Sequence, residues 1–421
     1  MSDASTRISR RQAGGTKAAL VPLPQVAETM SAANNQDQNM QDSVAAFRWH
    51  NLLRGTKLSS ILDRDGNNFD LLRLCAALAV MFGHSFWLQP AHGRIEPILQ
   101  HTGLEYSGSL AVYTFFLISG MLVSASYERQ QSLKRFVPLR LARIYPALIA
   151  CVFLTAFLLY PLLSTGSFAS AVLGEETRDY FFKNVGLFWG IQWTLPHIFE
   201  HNAIKSVVNG SLWTLPLELM CYLMVVGAGL ISAYSSRLRL VALLAILGAG
   251  IAYLATHTSN YELLRSIVNK PTGYSFYAPP FFMAGMLLYA FRDRVIVSWR
   301  IGIILALAYV AGRHSAIAAP LFHLAFAYVL LCLSGDRILR RIRLRNDYSY
   351  GVYLWAFPIQ QIVAAYAPEM DNLVGLTIAI PLTFAAAVLS WHLVEKPSIR
   401  FARRHAFSRP VVLSDKRSAT L

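Results

Sequence analysis

Arg73 and His84 stand eleven positions apart inside one apolar stretch, Phe69 to Trp87, and neither side chain is at home in hydrocarbon. On an α-helix eleven residues rise about 16 Å and turn about 20° beyond three rotations, so the two share a face. A charge at membrane depth costs at least a few kcal/mol unless protein or water receives it, which marks such a pair as functional. Arg keeps its charge and can hold an anion; His takes and releases a proton near neutrality. Arg73 lies about four residues inside its span and can also snorkel to the interface without any ligand.

Arg140 and Arg143 are spaced i and i+3, so both guanidiniums leave one helix face, just before Tyr145-Pro146. Paired Arg forks suit phosphate, although cations at a membrane edge also serve as anchors. Glu218 sits about seven residues, or ~10 Å, into a later apolar stretch, and His84 about five residues from the end of its own. Equal depths allow a carboxylate–imidazole pair, in which the acid orients and stabilises the ring; Glu218 can equally pair with an Arg. His197-Ile-Phe-Glu200-His201 matches a zinc-hydrolase pattern, but no third ligand has a recognisable context, so a solvated loop and no metal are expected. His323 and His392 read as packed interhelical histidines, and Asp70 as a helix-start residue favoured by the dipole.

Membrane helices are needed to position these groups. The chain of 421 residues is 55% hydrophobic and 14% charged, well under the roughly 25% charge of soluble domains. Apolar segments near 69–89, 109–126, 144–163, 211–232, 240–256, 274–291, 301–312, 318–334, 349–366 and 373–394 approach or reach the roughly 20 residues that cross a bilayer. The expectation is an all-α polytopic membrane protein of about ten transmembrane helices. Residues 1–60 read as a disordered to interfacial extension, with an interfacial stretch at Phe47, Trp49, Leu52 and Leu53; 61–402 read as the membrane domain and 403–421 as a basic tail. No cleaved leader is expected, since the first apolar span begins near Phe69. The four cysteines fall one per span without metal spacing and read as small buried hydrophobes.

The net charge of +15 is distributed as a membrane protein's, not a nucleic-acid binder's. With ten spans, 30 of the 38 Lys and Arg fall on one side and seven on the other, which makes the basic side and both termini cytoplasmic. A further apolar stretch at 181–196 would invert that pattern if it crossed, so it is expected to be re-entrant or interfacial.

Five stretches in order across 69–402 resemble membrane acyltransferase family 3, the bacterial O-acyltransferases of cell-surface glycans. They are Arg73 with His84; Phe115 to Gly120; Arg135 to Pro146; Asn209 to Glu218 with Tyr222; and Tyr348 to Trp355 with Val394-Glu395-Lys396-Pro397. Ala356 stands near where many relatives carry a His, and the chain ends about 25 residues after its last span, without the C-terminal hydrolase-like domain of some relatives.

The resemblance implies an acetyl-CoA-dependent O-acyltransferase of the bacterial inner membrane, acting on a glycan or lipid-linked sugar. It implies His84, Glu218 and Arg73 as catalytic residues, and Arg140, Arg143, Arg73 and Tyr145 as donor-binding residues. His84 would be a general base or an acetyl-carrying nucleophile. A transporter using the same charges as a relay is the rival reading, weakened by the lack of an inverted repeat. An acyltransferase of a small lipophilic metabolite is the third. The acceptor, acyl chain length and oligomeric state are not encoded legibly.

Overall fold

The structure, a computed structural model, describes residues 55–407 except 64–65, 91–92, 131, 189 and 257–272. The expected interfacial stretch at 47–53, most of the N-terminal extension, the end of the basic tail and residues 257–272 lie outside these residues.

Each of the ten expected apolar segments is helical. The longer helices are α1 (Phe69–Leu88), α2 (Ser107–Gln130), α3 (Leu133–Leu154), α4 (Glu175–Gly186), α5 (Thr214–Leu230), α6 (Arg237–Thr256), α7 (Gly273–Ala290), α8 (Trp299–Gly312), α9 (Ala318–Ser334), α10 (Ser349–Tyr366), α11 (Asn372–Ser390) and α12 (Lys396–Phe407). A π turn, Thr155–Leu159, extends α3 through Leu163, and a second, Trp391–Glu395, joins α11 to α12. Among the described residues, five of the resulting stretches are long and apolar enough to cross a membrane: Phe69–Leu88, Ser107–Gln130, Leu133–Leu163, Gly210–Leu230 and Asn372–Ala406. Shorter apolar helices cover Ala278–Ala290, Trp299–Gly312 and Ala318–Ser334. Among the described residues the sheet is two short strands, β1 (Thr56–Lys57) and β2 (Ile296–Val297), paired antiparallel.

The apolar surface faces outward as well as inward. Leu238, Ile246 and Leu393 are 78%, 71% and 72% exposed, a pattern unfavourable in water and ordinary against lipid. Cys75 is likewise exposed rather than buried, because it lies on the outward side of α1, whereas Cys151, Cys221 and Cys332 are buried. Inside, α2 packs against both α1 and α7, and α10 against α1 and α11. The α2–α7 crossing brings backbones together at Gly120 and Gly285, where any Cβ would run into the facing helix.

Polar side chains on α10 lock the interior. Gln360 donates to the Met81 carbonyl at 2.9 Å, one turn before His84. Gln361 accepts from Asn202 at 2.7 Å and donates to the Val207 carbonyl at 2.7 Å, and Asn209 donates to the Leu354 carbonyl at 3.0 Å. The 181–196 stretch is not one helix. α4 ends at Leu187 in a left-handed conformation, and an irregular segment then folds into the interior, with Leu187, Ile191, Leu195 and Ile198 all buried.

Candidate active site

Arg73, Arg140 and Arg143, with the carboxylate of Glu218, come from three helices and face one cavity of about 760 Å³, which Asp70, Arg129 and Arg403 also line. Arg73 comes from the first turns of α1, Arg140 and Arg143 from α3, and Glu218 from α5. Thr214, Tyr222, Tyr350 and Tyr353 are among its other polar lining residues.

Asp347, in the loop before α10, organises two of the arginines. One oxygen of its buried carboxylate lies 3.0 Å from Arg73 and also binds Arg143. The other accepts from the Ser349 backbone N–H at 3.2 Å and from its hydroxyl at 2.5 Å. Burial alone would raise the Asp347 pKa, but the two guanidiniums and the Ser349 hydroxyl outweigh it and hold the carboxyl well below its usual range. Asp70, placed at the helix start as expected, also pairs with Arg73.

These contacts leave donors to spare. The Nε atoms of Arg73 and Arg140 are buried and have no hydrogen-bond partner among the described residues. Arg140 makes no ion pair with a described residue; the Phe136 ring lies 5.9 Å from its guanidinium carbon. Buried donors in native proteins are nearly always satisfied, so an anion in the cavity is the fitting complement.

Glu218 belongs to this cluster rather than to His84. Its Oε1 accepts from the Tyr222 hydroxyl at 2.6 Å, and its charged neighbours are Arg143, Arg140 and Arg73. Counting residues from the span's end put Glu218 level with His84. The chain in fact reaches α5 already inside the molecule, with Asn209, Ser211, Leu212 and Thr214 buried, and Glu218, one turn further on, lies among the arginines.

His84 lies off the cavity wall. Its ring is half-buried and meets Phe357 edge-on, with centroids 5.2 Å apart, and its Nδ1 is buried without a partner among the described residues. The two regions are joined by α10. Phe357 and Tyr353 stand one turn apart on it, and Tyr353 lines the cavity. The Tyr353 hydroxyl donates to the Ser211 carbonyl at 2.8 Å and lies 2.7 Å from the Thr214 hydroxyl. Gly210 packs on the Phe357 ring, where a Cβ would sit 2.7 Å from it.

Tyr145 turns away from the arginine cavity and lines a separate groove of about 600 Å³ with Arg140, Phe188 and Tyr222. His197 lies 3.4 Å from Glu200, and among the described residues no three His, Cys, Asp or Glu side chains converge as metal ligands. His323 is interhelical, 3.1 Å from buried Glu105. His392 is instead exposed, with the Tyr348 hydroxyl at 3.4 Å, because the π turn rotates it to the surface. Asp347 escaped sequence reasoning. Its one signal is a lone acid ending the Arg-rich run 337–345 just before an apolar span.

The sequence profile described as an acyltransferase domain matches residues 67–392. The chain belongs to that family, membrane acyltransferase family 3. The acyltransferase is 32% identical to an "O-acetyl transferase" of Shigella phage Sf6 over 353 residues, covering 78% of this chain and 95% of the relative. It is also 32% identical to "Nodulation protein 10" of Rhizobium leguminosarum bv. viciae over 368 residues, covering 79% and 93%. No solved structure matches the acyltransferase.

Proposed function

We propose that this acyltransferase is a multi-pass enzyme of the bacterial inner membrane that moves an acetyl group from cytosolic acetyl-CoA to a hydroxyl of a cell-surface or lipid-linked glycan. The observation that carries the proposal is the arginine cavity, with partnerless buried guanidinium nitrogens, three helical turns below His84 on the same helix. The similarity to a protein named O-acetyl transferase supports the chemistry. The distribution of 30 of 38 basic residues supports ten spans with both termini cytoplasmic and the 181–196 segment re-entrant.

In this reading the donor's phosphates occupy the cavity, held by Arg140, Arg143 and Arg73. Its pantetheine arm follows α1 for about 16 Å to His84. His84 removes the proton of the acceptor hydroxyl; the oxygen attacks the acetyl carbonyl, the C–S bond breaks, and the CoA thiolate leaves and is protonated. Positioned general-base catalysis of this kind contributes about 10²–10⁴-fold. In the nucleophilic variant the imidazole nitrogen takes the acetyl group first and the hydroxyl attacks it second. Glu218 neutralises part of the arginine charge and is a positioning residue for the donor.

The test is transfer of radiolabelled acetyl from acetyl-CoA in membranes containing wild type or His84→Ala at matched expression, with glycan extract as acceptor. Base-labile label with wild type and none with His84→Ala is expected. Equal label in both would remove His84 from the chemistry, and neither label nor CoA binding would remove the acyltransfer reading for this chain.

A further inference from the structure

The arginine cavity carries more positive charge than its acids balance. Arg129 and Arg403 line it together with Arg73, Arg140 and Arg143, while Asp70 and Glu218 are the acidic residues of its lining. Arg73 and Arg143 are tied to Asp347. Arg129, in the last turn of α2, and Arg403, on α12, are both exposed, and neither makes an ion pair with a described residue. α12 packs along α3, and Ile399, one turn before Arg403, lines the same cavity, so this face of α12 closes the mouth. Two cations thus converge on the opening of a cavity whose deeper guanidiniums already await an anion. Like charges held together in this way call for a ligand with a second, separate anionic group.

We propose that Arg129 and Arg403 form a second phosphate subsite at the mouth, which binds the ribose 3′-phosphate of the donor while Arg140 and its neighbours take the pyrophosphate. The inference rests on the acetyl-CoA reading above and assigns α12 to donor selection. It makes the phosphorylated nucleotide end a specificity determinant.

The experiment is calorimetric titration of the full-length protein in detergent with CoA and with 3′-dephospho-CoA. Wild type is expected to bind CoA about 10–100-fold more tightly, the worth of one or two charge-assisted contacts. Arg129→Gln and Arg403→Gln are each expected to erase most of that preference while keeping the dephospho-CoA affinity, which also reports that they are folded; Arg403→Lys should restore part of it. Equal wild-type affinity for the two ligands, or variants that weaken both ligands alike, would overturn the subsite and leave the donor reading standing. Binding of neither ligand to wild type would overturn the donor reading itself. A preference unchanged in the variants, with weaker binding to phosphatidylglycerol vesicles, would make both residues lipid anchors and also overturn the subsite.

Discussion

Asp347 is the residue on which the arginine cavity depends. It is buried between Arg73 and Arg143, which come from different helices and are more than 200 positions away in sequence. Replacing it with Asn leaves two guanidiniums facing each other without their anion. Loss of one partner from such a buried cluster costs about 3–5 kcal/mol, so Asp347→Asn should lower the thermal midpoint of the detergent-purified protein clearly. The sign of its pH dependence follows from the depressed pKa. The stabilisation is fully present above the ordinary Asp value of about 4 and is lost as pH falls through the lower folded value. The stability gap between wild type and Asp347→Asn should therefore be flat from pH 6 to 8 and narrow only in strong acid. A gap that changed across neutrality would mean that another group holds the arginines. Sequence reasoning found Arg73, Arg140 and Arg143 because charges stand out against apolar runs. It missed Asp347, which lies outside the runs, and it left Glu218 open between His84 and an Arg, because residue counting gives a depth within a span but not the side chain's neighbours.

At the level of helices, all ten expected apolar segments are helical, and among the described residues five stretches are long and apolar enough to cross a membrane. The breaks were not legible. Neither π turn has a sequence signal, and the turn at Leu187 requires a left-handed backbone (φ 61°) at a non-glycine residue, held only by tertiary contacts. Helix crossings were equally hidden. Gly120 and Gly285 allow α2 and α7 to touch through their backbones, and Ser119, next to that contact, lines the arginine cavity. Gly120→Ala should force the helices apart, costing about 1–3 kcal/mol as overpacking does, and should weaken CoA binding through the displaced wall. Gly227→Ala on α5 is the control, since a Cβ there meets nothing within 4 Å; it should leave the midpoint unchanged or raise it slightly through helix propensity. Thermal unfolding of both variants decides the matter, and equal midpoints would mean that the crossing relaxes freely.

For the molecule as a whole, the proposed chemistry works only if the arginine cavity opens to the cytosol and His84 lies toward the other face. Acetyl-CoA is a polar polyanion that does not cross hydrocarbon, whereas the acetyl group is small and neutral, so a tunnel along α1 moves only the part that can move. That arrangement predicts opposite sidedness for two exposed loop positions, Ser315 between α8 and α9 and Arg341 between α9 and α10. In a background lacking the exposed Cys75, Ser315→Cys should react with a membrane-impermeant maleimide in spheroplasts. Arg341→Cys should react only after the membrane is permeabilised. The reverse pattern would turn the arginine cavity outward, where no acetyl-CoA exists, and the donor would then have to be a different anionic acyl carrier. Labelling of both positions from one side would instead break the ten-span count between them, at α9. Sidedness therefore tests the topology and the identity of the donor in a single measurement, because the location of the phosphates and the location of the basic loops are the same physical fact.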